Sequence, residues 1–452
     1  MLYRRFELGG CGLSAHGLFS FSPSVFAALL EDPRGSGRSF LISSAGGTEC
    51  LAASSTHIER ERFLERWMEE ERSRKRYRDN PCVFSIWYAA YEAACLIEDR
   101  LPEPKSVPGG LLLWRHRPAF SLCFEPGGVI HVAADNATVM AFVESELLSM
   151  GRWLEQDQEL GPMLSGQHAE VTSAQSYVEA VCRVRDYIAA GDIFQANIAR
   201  YWSCPWQDRQ KLPALYARLR RLNPAPFSAW LHMPQAPRGE LTILSASPER
   251  LFYIDTEGWV STRPIAGTRK RGAGEHDEAL RQELLLSEKE RAEHIMLVDL
   301  ERNDLGRVCE HGSVHVDECM SIERYATVQH IVSNVRGRLR EDLNLVDVFR
   351  AMFPGGTITG CPKVRCMELI HELEAQGRGP YTGGIGYSAW DGSADMNILI
   401  RTFWHYLDRL DWAAGAGIVA DSDPMHELRE TEHKAAGLMR ALLAQDDQDL
   451  RV

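Results

Sequence analysis

The sequence lacks the features that mark secreted and membrane proteins. None of its apolar runs approaches the roughly 20 residues that a membrane span takes. The early segment MLYRRFELGGCG is broken by Glu7 and by glycines, so it has no apolar core of the kind found in a signal peptide. We therefore expect a cytoplasmic protein that does not act at a membrane.

Cysteine pairs and an excess of basic residues are also missing. The 11 cysteines are an odd number and include no CxxC pair, which argues against a disulfide framework or a zinc site. The net charge is -13, and the densest basic run, Arg72 to Arg78, directly follows the acidic residues Glu69 to Glu71. This pattern is typical of a solvated helix with paired charges, so we expect no nucleic-acid partner.

What the sequence contains is enough apolar material, 44% of 452 residues, for one large core or two ordinary ones. Up to about residue 160, short apolar runs alternate with turn-rich pieces such as EDPRGSGR, and a polar stretch, EQDQELGPMLSGQ, follows. We predict a divergent N-terminal region over residues 1–160 and a catalytic domain over residues 161–452.

Elements are easier to recognise after this boundary. A serine cap predicts a helix from Ser173 to about Gly191, and one long helix is predicted from DEALRQELLL to Gly306. Further on, TGGIGYSAW, ADMNILIRTFWHYL and DWAAGAGIVAD predict three strands, followed by a closing helix from about Met425. Because strands follow one another without helices between them, we predict an α+β fold with large antiparallel sheets packed together and helices outside.

Two pairs of glutamates carry the first chemical signal. Glu290 and Glu293, and again Glu427 and Glu430, are spaced three apart on predicted helices, which puts both carboxylates of a pair on one helix face. If the two faces converged, they would offer the hard oxygen ligands that Mg²⁺ prefers. Each pair taken alone is more often a solvated face.

Glycine-dense segments accompany these pairs. FPGGTITGCPK, TGGIGY and AAGAGIVAD could bring backbone N–H groups to an anion, with Lys363 or Arg401 as the countercharge, although glycines of this kind often only make turns. The stretch TRPIAGTRKRG, from Thr262 to Gly272, has the composition of a loop that binds an anion, yet an inert Ala266 stands in its middle. GAGIVA fits a dinucleotide fingerprint, but no helix follows it, so we reject that interpretation.

Two further candidates are single residues. His330 lies within an apolar, strand-like run, where a histidine is more often a core residue than a catalyst. Glu249 follows a serine and a proline at a predicted turn, where a surface carboxylate is the ordinary interpretation.

In this order, the segments GDIFQANIAR, SPERL, RPIAGT, EHIMLVDLERNDLGRV, HIVSNVRG, GGTITGCPKVRCMELI, GGIGY, NILIRT and AGAGIVADSDP resemble the chorismate-utilising enzymes, from about Ser173 to Leu442. That family includes anthranilate synthase component I and aminodeoxychorismate synthase component I. The resemblance implies chorismate as substrate, Mg²⁺ as cofactor, and ammonia or glutamine delivered by a glutamine amidotransferase subunit.

The resemblance also implies roles for individual residues. It implies that Glu293 and Glu430 are the direct metal ligands, with Glu290 and Glu427 beside them, that Glu249 is a general acid, and that His330 is a second acid or base. It implies that the enolpyruvyl carboxylate of chorismate is bound by Arg401, Tyr387, Lys434 and the N–H groups of Gly415 and Gly417. It also implies that Thr359, a catalytic candidate, and Gly360 line the ring pocket, while Thr268 and Lys363 are further candidates for substrate binding.

Two positions bear on the reaction type. Isochorismate and salicylate synthases, the family members that activate water, carry a lysine where Gln195 stands. A glutamine cannot take a proton from water, so we predict amination. Aminodeoxychorismate synthases typically carry a nucleophilic lysine where Ala266 stands, whereas anthranilate synthases carry alanine.

Most of the chain resembles aminodeoxychorismate synthase component I. We therefore predict 4-amino-4-deoxychorismate as the product. Anthranilate or 2-amino-2-deoxyisochorismate remains the alternative, and a non-catalytic regulator that binds chorismate or an amino acid is the alternative of a different class.

Overall fold

The structure is a computed structural model that describes residues 1–7, 13–150, 169–270, 275–324 and 328–443. The helices within these ranges are α1 (Ala15–Phe21), α2 (His57–Ser73), α3 (Ala137–Met150), α4 (Ala174–Ala189), α5 (Leu212–Leu222), α6 (Glu275–Leu286), α7 (Glu288–Gly306), α8 (Leu345–Met352), α9 (Lys363–Leu373) and α10 (Pro424–Leu443). The strands are β1 (Leu2–Glu7), β2 (Phe26–Glu31), β3 (Ser39–Ser43), β4 (Gly46–Ala52), β5 (Val83–Ala89), β6 (Leu111–Pro118), β7 (Phe120–Glu125), β8 (Val129–Ala134), β9 (Ala169–Glu170), β10 (Gln195–Pro205), β11 (Phe227–Met233), β12 (Leu241–Ser247), β13 (Arg250–Ile254), β14 (Trp259–Thr262), β15 (Ile265–Lys270), β16 (His315–Arg324), β17 (Val328–Arg338), β18 (Gly360–Cys361), β19 (Gly384–Ala389), β20 (Ala394–Asn397), β21 (Thr402–Tyr406) and β22 (Arg409–Ile418).

Two large sheets organise these strands. A 12-stranded sheet runs β1-β8-β7-β3-β2-β11-β12-β21-β22-β10-β18, with β9 also paired to β10. A 10-stranded sheet runs β15-β17-β14-β13-β20-β19-β5-β6-β4, with β16 also paired to β17. Every strand pairing in the described residues is antiparallel. The predicted α+β class is confirmed.

The sheets pack face to face, and helices cover their outer faces. Between the sheets, Ile42 and Leu231 of the larger sheet meet Ile86 and Ile385 of the smaller one in what we call the inter-sheet core. Residues of α1, α3, α5 and α10 pack on the outer face of the larger sheet, and residues of α2 and α8 pack on that of the smaller one. Each fully buried Leu or Phe in these layers contributes about 1.5–3 kcal/mol.

The predicted boundary at residue 160 lies outside the described residues. Strands from both sides of it share both sheets, because β2 pairs with β11 in the larger sheet and β5 pairs with β19 in the smaller one. The division into regions 1–160 and 161–452 stays a prediction about the sequence.

Helix α4 begins as predicted, with the hydroxyl of Ser173 accepting from the backbone N–H of Ser176. The single long helix predicted to end at Gly306 is wrong, because the chain leaves helical geometry at Ser287, where ψ is 108°. The Ser287 hydroxyl accepts from the N–H of Glu290 and so caps α7, the helix that carries the first glutamate pair.

The three strands predicted over the glycine-rich third are four. ADMNILIRTFWHYL is divided into β20 and β21 by a sharp turn at Arg401, whose φ is +51°. This turn carries the chain from the smaller sheet to the larger one, so a single apolar run serves both sheets.

The basic run is only partly a solvated helix. Helix α2 ends at Ser73, and the side chain of the next residue, Arg74, is 4% exposed. Its guanidinium donates to the carbonyl of Ala389 at 2.6 Å and lies over the ring of Phe84. The interpretation of Arg74 as a solvated charge is therefore wrong.

No helix within the described ranges combines the length and hydropathy that crossing a membrane requires. The ten cysteines in those ranges are all free thiols.

Candidate active site

The C-terminal end of β22 forms one wall of the candidate site. Gly415 and Gly417 are two residues apart and so face the same side of the strand. A Cβ on Gly415 would lie 2.6 Å from both the Tyr381 hydroxyl oxygen and Asn197 Oδ1, and a Cβ on Gly417 would collide with the side-chain amide of Gln195. Glycine is required at both positions because neighbouring polar groups already take the space.

The first glutamate pair, on α7, touches both sheets. Gln195 on β10 donates through Nε2 to Glu293 Oε1 at 3.1 Å. The carboxylate of Glu290 approaches β15, where a Cβ on Gly267 would lie 2.8 Å from Glu290 Oε2. Helix α7 therefore presents the two carboxylates where the ends of the two sheets come together.

The second pair, on α10, lies beside the exposed His426. One ligand atom each of His426, Glu427 and Glu430 lies within 4.8 Å of the others. Lys434 donates to Glu430 Oε1 at 2.7 Å and to the carbonyl of Gly415 at 3.0 Å. Burial and the charge of Glu430 raise the pKa of Glu427, whereas Lys434, His426 and His433 together outweigh burial and lower the pKa of Glu430. Glu430 thus stays ionised at neutral pH.

One glutamate of each pair is connected to β22 through another side chain. Glu293 reaches Gly417 through Gln195, and Glu430 reaches Gly415 through Lys434. Two residues of a strand span about 7 Å, so Glu293 and Glu430 are linked to neighbouring positions of one strand.

Glu249, at the start of β13, is a buried carboxyl group and not the surface turn residue of the ordinary interpretation. It is 8% exposed, and the Thr357 hydroxyl donates to its Oε1 at 2.6 Å. Burial raises its pKa despite this hydrogen bond and the nearby charges of Lys434 and Arg401. A glutamic acid with a raised pKa is suited to donating a proton.

His330, on β17, lies across the strand ladder from the RPIAGT segment. Its Nδ1 donates to the carbonyl of Gly267 at 3.2 Å, so the neutral ring carries its proton there. Burial lowers the pKa of His330, and Arg401 acts in the same direction. His330 is therefore neutral at pH 7.

The stretch TRPIAGTRKRG contains a strand and is not the loop that its composition predicted. Ile265–Lys270 form β15, while residues 271–274 lie outside the described part. Ala266 pairs with Ile331 and Thr268 with His330, so Gly267, with φ +60°, is the extra residue of a β-bulge. Ala266 is buried at this bulge.

A known enzyme family matches most of the chain. The chorismate-binding enzyme family matches residues 27–440. The chain belongs to this family.

Relatives carry two different names. Aminodeoxychorismate synthase component 1 of Bacillus subtilis (strain 168) is 44% identical over 332 residues, which are 72% of this chain and 68% of the relative. Anthranilate synthase component 1 1 of Haloarcula marismortui is 47% identical over 275 residues, 59% of this chain and 53% of the relative. The solved anthranilate synthase component I from Streptococcus pneumoniae TIGR4 is 28% identical with a TM-score of 0.75, covering 97% of this chain and 99% of that chain.

Lys363 is one of the two residues predicted from the sequence to supply a positive charge to the substrate. Here the ammonium group of Lys363 forms an ion pair with Asp304 and donates to the carbonyl of Met352 at 3.2 Å. Its charge is compensated inside the protein, which argues against its use as the substrate's countercharge.

Tyr381, and not the predicted Tyr387, places its hydroxyl beside Gly415. Tyr387 packs in the inter-sheet core, with its ring centroid 4.7 Å from that of Phe40. The hydroxyl of Tyr381 is the one at Gly415. Sequence reasoning missed Tyr381 and Asn197, although Tyr381 directly precedes the TGG of the glycine-rich segment and Asn197 follows Gln195 by two residues on the same strand face.

The remaining predicted positions lie at the edges of the site. Thr359 is fully buried and its hydroxyl donates to the carbonyl of Gly355 at 2.9 Å. Gly360, with φ +131°, pairs with Ala196, so it joins the turn to β10. Arg401 acts electrostatically on both Glu249 and His330. The side chain of Thr268 lies outside the described part.

Proposed function

We propose that this chain aminates chorismate in a Mg²⁺-dependent reaction that gives 4-amino-4-deoxychorismate. The observation that carries amination is Gln195, an amide held against Glu293 at 3.1 Å. Activation of water needs a base, which an amide cannot supply, whereas ammonia is already a nucleophile. The choice of C4 follows the Bacillus subtilis relative, which is 44% identical over 72% of the chain. Coverage does not separate the two names, because the anthranilate synthase component 1 of Pseudomonas putida aligns with 79% of the chain at 40% identity.

Glu293 and Glu430 would hold the metal, with Glu290 and Glu427 beside them. The donor set fits Mg²⁺ because carboxylate oxygens are hard ligands and Glu430 is kept ionised. When bound, Mg²⁺ supplies a Lewis acid for the ring carboxylate of chorismate.

The chain's own groups supply the proton transfers and the grip on the substrate. Glu249 gives its proton to the hydroxyl that leaves C4, which its raised pKa favours, and His330 serves as the second acid or base. Arg401, Lys434 and the N–H groups at Gly415 and Gly417 bind the enolpyruvyl carboxylate.

Ala266 supplies no nucleophile, so ammonia adds at C2 as the C4 hydroxyl leaves. A second ammonia then adds at C4 as the first departs. The same residue favours a second candidate function, in which the 2-amino compound leaves unchanged or loses pyruvate to give anthranilate. The ammonia comes from a glutamine amidotransferase partner, as the component 1 names of the relatives suggest.

The test is to incubate the purified chain with chorismate, Mg²⁺ and ammonium at mildly alkaline pH and to identify the product by mass and fluorescence. We expect a non-fluorescent aminodeoxychorismate that becomes 4-aminobenzoate only when the cognate lyase is added. Fluorescent anthranilate would establish the second candidate. If chorismate binds to the chain and is recovered unaltered, the result supports the alternative of a non-catalytic regulator.

A further inference from the structure

A buried arginine that the mechanism does not use stands directly behind the site. Arg378 lies between α9 and β19, and its side chain is 1% exposed. Nε and Nη2 donate to the carboxylate of Glu374, the shortest contact being 2.6 Å. Nη2 also donates to the carbonyl of Asn197 at 2.7 Å, and Nη1 to that of Ile358 at 3.0 Å. A planar guanidinium fixes the directions of all these acceptors at once.

The groups that Arg378 holds belong to the walls of the site. Asn197 lies against Gly415, and its N–H donates to the carbonyl of Thr359 at 2.9 Å. The N–H of Tyr381 donates to the Arg378 carbonyl at 3.1 Å, and the guanidinium lies 5.7 Å from the Tyr381 ring centroid. The Arg378 side chain thus bonds the segments of Asn197 and Ile358 and lies beside the ring of Tyr381.

Glu374 extends this arrangement along β10. Its Oε1 accepts from the backbone N–H of Ala199 at 3.0 Å, and its Oε2 accepts from the Tyr201 hydroxyl at 3.0 Å. On this edge of β10, β18 pairs with Gln195 and Ala196, and β9 pairs with Trp202 and Ser203. Between these two pairings, the Glu374–Arg378 pair satisfies backbone groups that a neighbouring strand would otherwise satisfy.

The buried ion pair borders a surface cleft. Arg378 and Glu374 form part of the lining of a surface cleft whose walls include Tyr91, Leu101 and Met367. Removing the arginine side chain would therefore leave a cavity that contains the unpaired carboxylate of Glu374 and adjoins the cleft. A small cation could enter this cavity from solvent.

We propose that Arg378 is a positioning residue for chorismate, because its guanidinium bonds the carbonyls of Asn197 and Ile358 and, through Asn197, fixes Thr359 near the β22 glycines. The inference rests on the proposed function for the location of the substrate. It does not depend on which carbon is aminated.

The test is chemical rescue of Arg378→Ala. Misplacing a site by about 1 Å can cost on the order of 100-fold, so we expect losses of that order in chorismate affinity, measured by calorimetry with Mg²⁺ present, or in turnover. Guanidinium at millimolar concentration should raise the chorismate affinity or the turnover of the variant at least tenfold. Urea, which has the same shape without the charge, should restore nothing.

Arg183→Ala is the matched control, because Arg183 is 56% exposed and pairs with Glu372 on α9. It should behave as wild type and show no response to guanidinium. If Arg378→Ala is unstable, Arg378→Lys keeps a charge beside Glu374 without the planar fork, and we expect weaker chorismate binding with an unchanged circular dichroism spectrum.

Wild-type affinity and turnover in either folded variant would overturn the proposal, and so would equal rescue by urea. The binding measurement separates this result from failure of the proposed function. If the wild-type chain binds chorismate and forms no aminated product, the proposed function fails, while the guanidinium experiment still tests Arg378.

Discussion

Gly415→Ala tests whether chorismate binds beside the β22 glycines. The new Cβ would lie 2.6 Å from the Tyr381 hydroxyl and from Asn197 Oδ1, and 2.7 Å from the carbonyl of Ile198. Since the optimal separation is about 3.5 Å, these groups or β22 must move by roughly 0.9 Å. Overpacking of this kind costs about 1–3 kcal/mol of stability.

A displacement of that size at the substrate wall should lower kcat/KM for chorismate on the order of 100-fold. Steady-state kinetics with ammonium measure this loss, and urea unfolding measures the stability separately. Gly47→Ala on β4 is the control, because nothing lies within 4 Å of a Cβ at that position. A Gly415→Ala enzyme with wild-type kcat/KM would refute the placement of the substrate at β22.

Four further predictions concern the chemistry. Ala266→Lys should raise the share of 4-aminated product, and an unchanged product ratio in an active enzyme would contradict the role that we assign to position 266 in the choice of carbon. Glu249→Gln should lower kcat by about 10²–10⁴-fold. Because the pKa of Glu249 is raised, wild-type kcat/KM should be retained below that pKa and fall as pH rises through it, and this alkaline limb should disappear in the variant. Glu293→Gln should abolish Mg²⁺-dependent turnover, whereas an unchanged dependence of turnover on Mg²⁺ concentration would show that Glu293 is not a metal ligand. Tyr381→Phe should raise the KM for chorismate more than Tyr387→Phe does, and the reverse order would contradict the position of Tyr381 at Gly415.

Features set by neighbours in the chain were predictable. The helix capped by Ser173 was predicted because a serine hydroxyl and the apolar period that follows are local signals. The antiparallel α+β class followed from strands succeeding one another without helices. The break at Ser287 was missed because serine is tolerated inside a helix, and only its extended ψ reveals the cap.

The types of residue in the site could be predicted, but the partners that these residues contact in the folded chain could not. The spacing of Glu427 and Glu430 was enough to place both on one face of α10. The use of Lys363 was not predictable, because Asp304, which compensates its charge, lies 59 residues away in the chain. The turn at Arg401 was hidden for a similar reason, since an apolar run shows no sign of crossing from one sheet to another.

The sequence by itself determined the family, the fold class and the glutamate pairs, because these depend on residue identity and on spacing within single elements. Only the tertiary structure decided that Tyr381 and not Tyr387 meets Gly415, that Glu249 is buried under Thr357, and that Arg378 joins the walls of the site. The physical reason is that burial and hydrogen-bond partners are set by contacts between segments far apart in the chain. Such contacts leave no periodic pattern in the sequence.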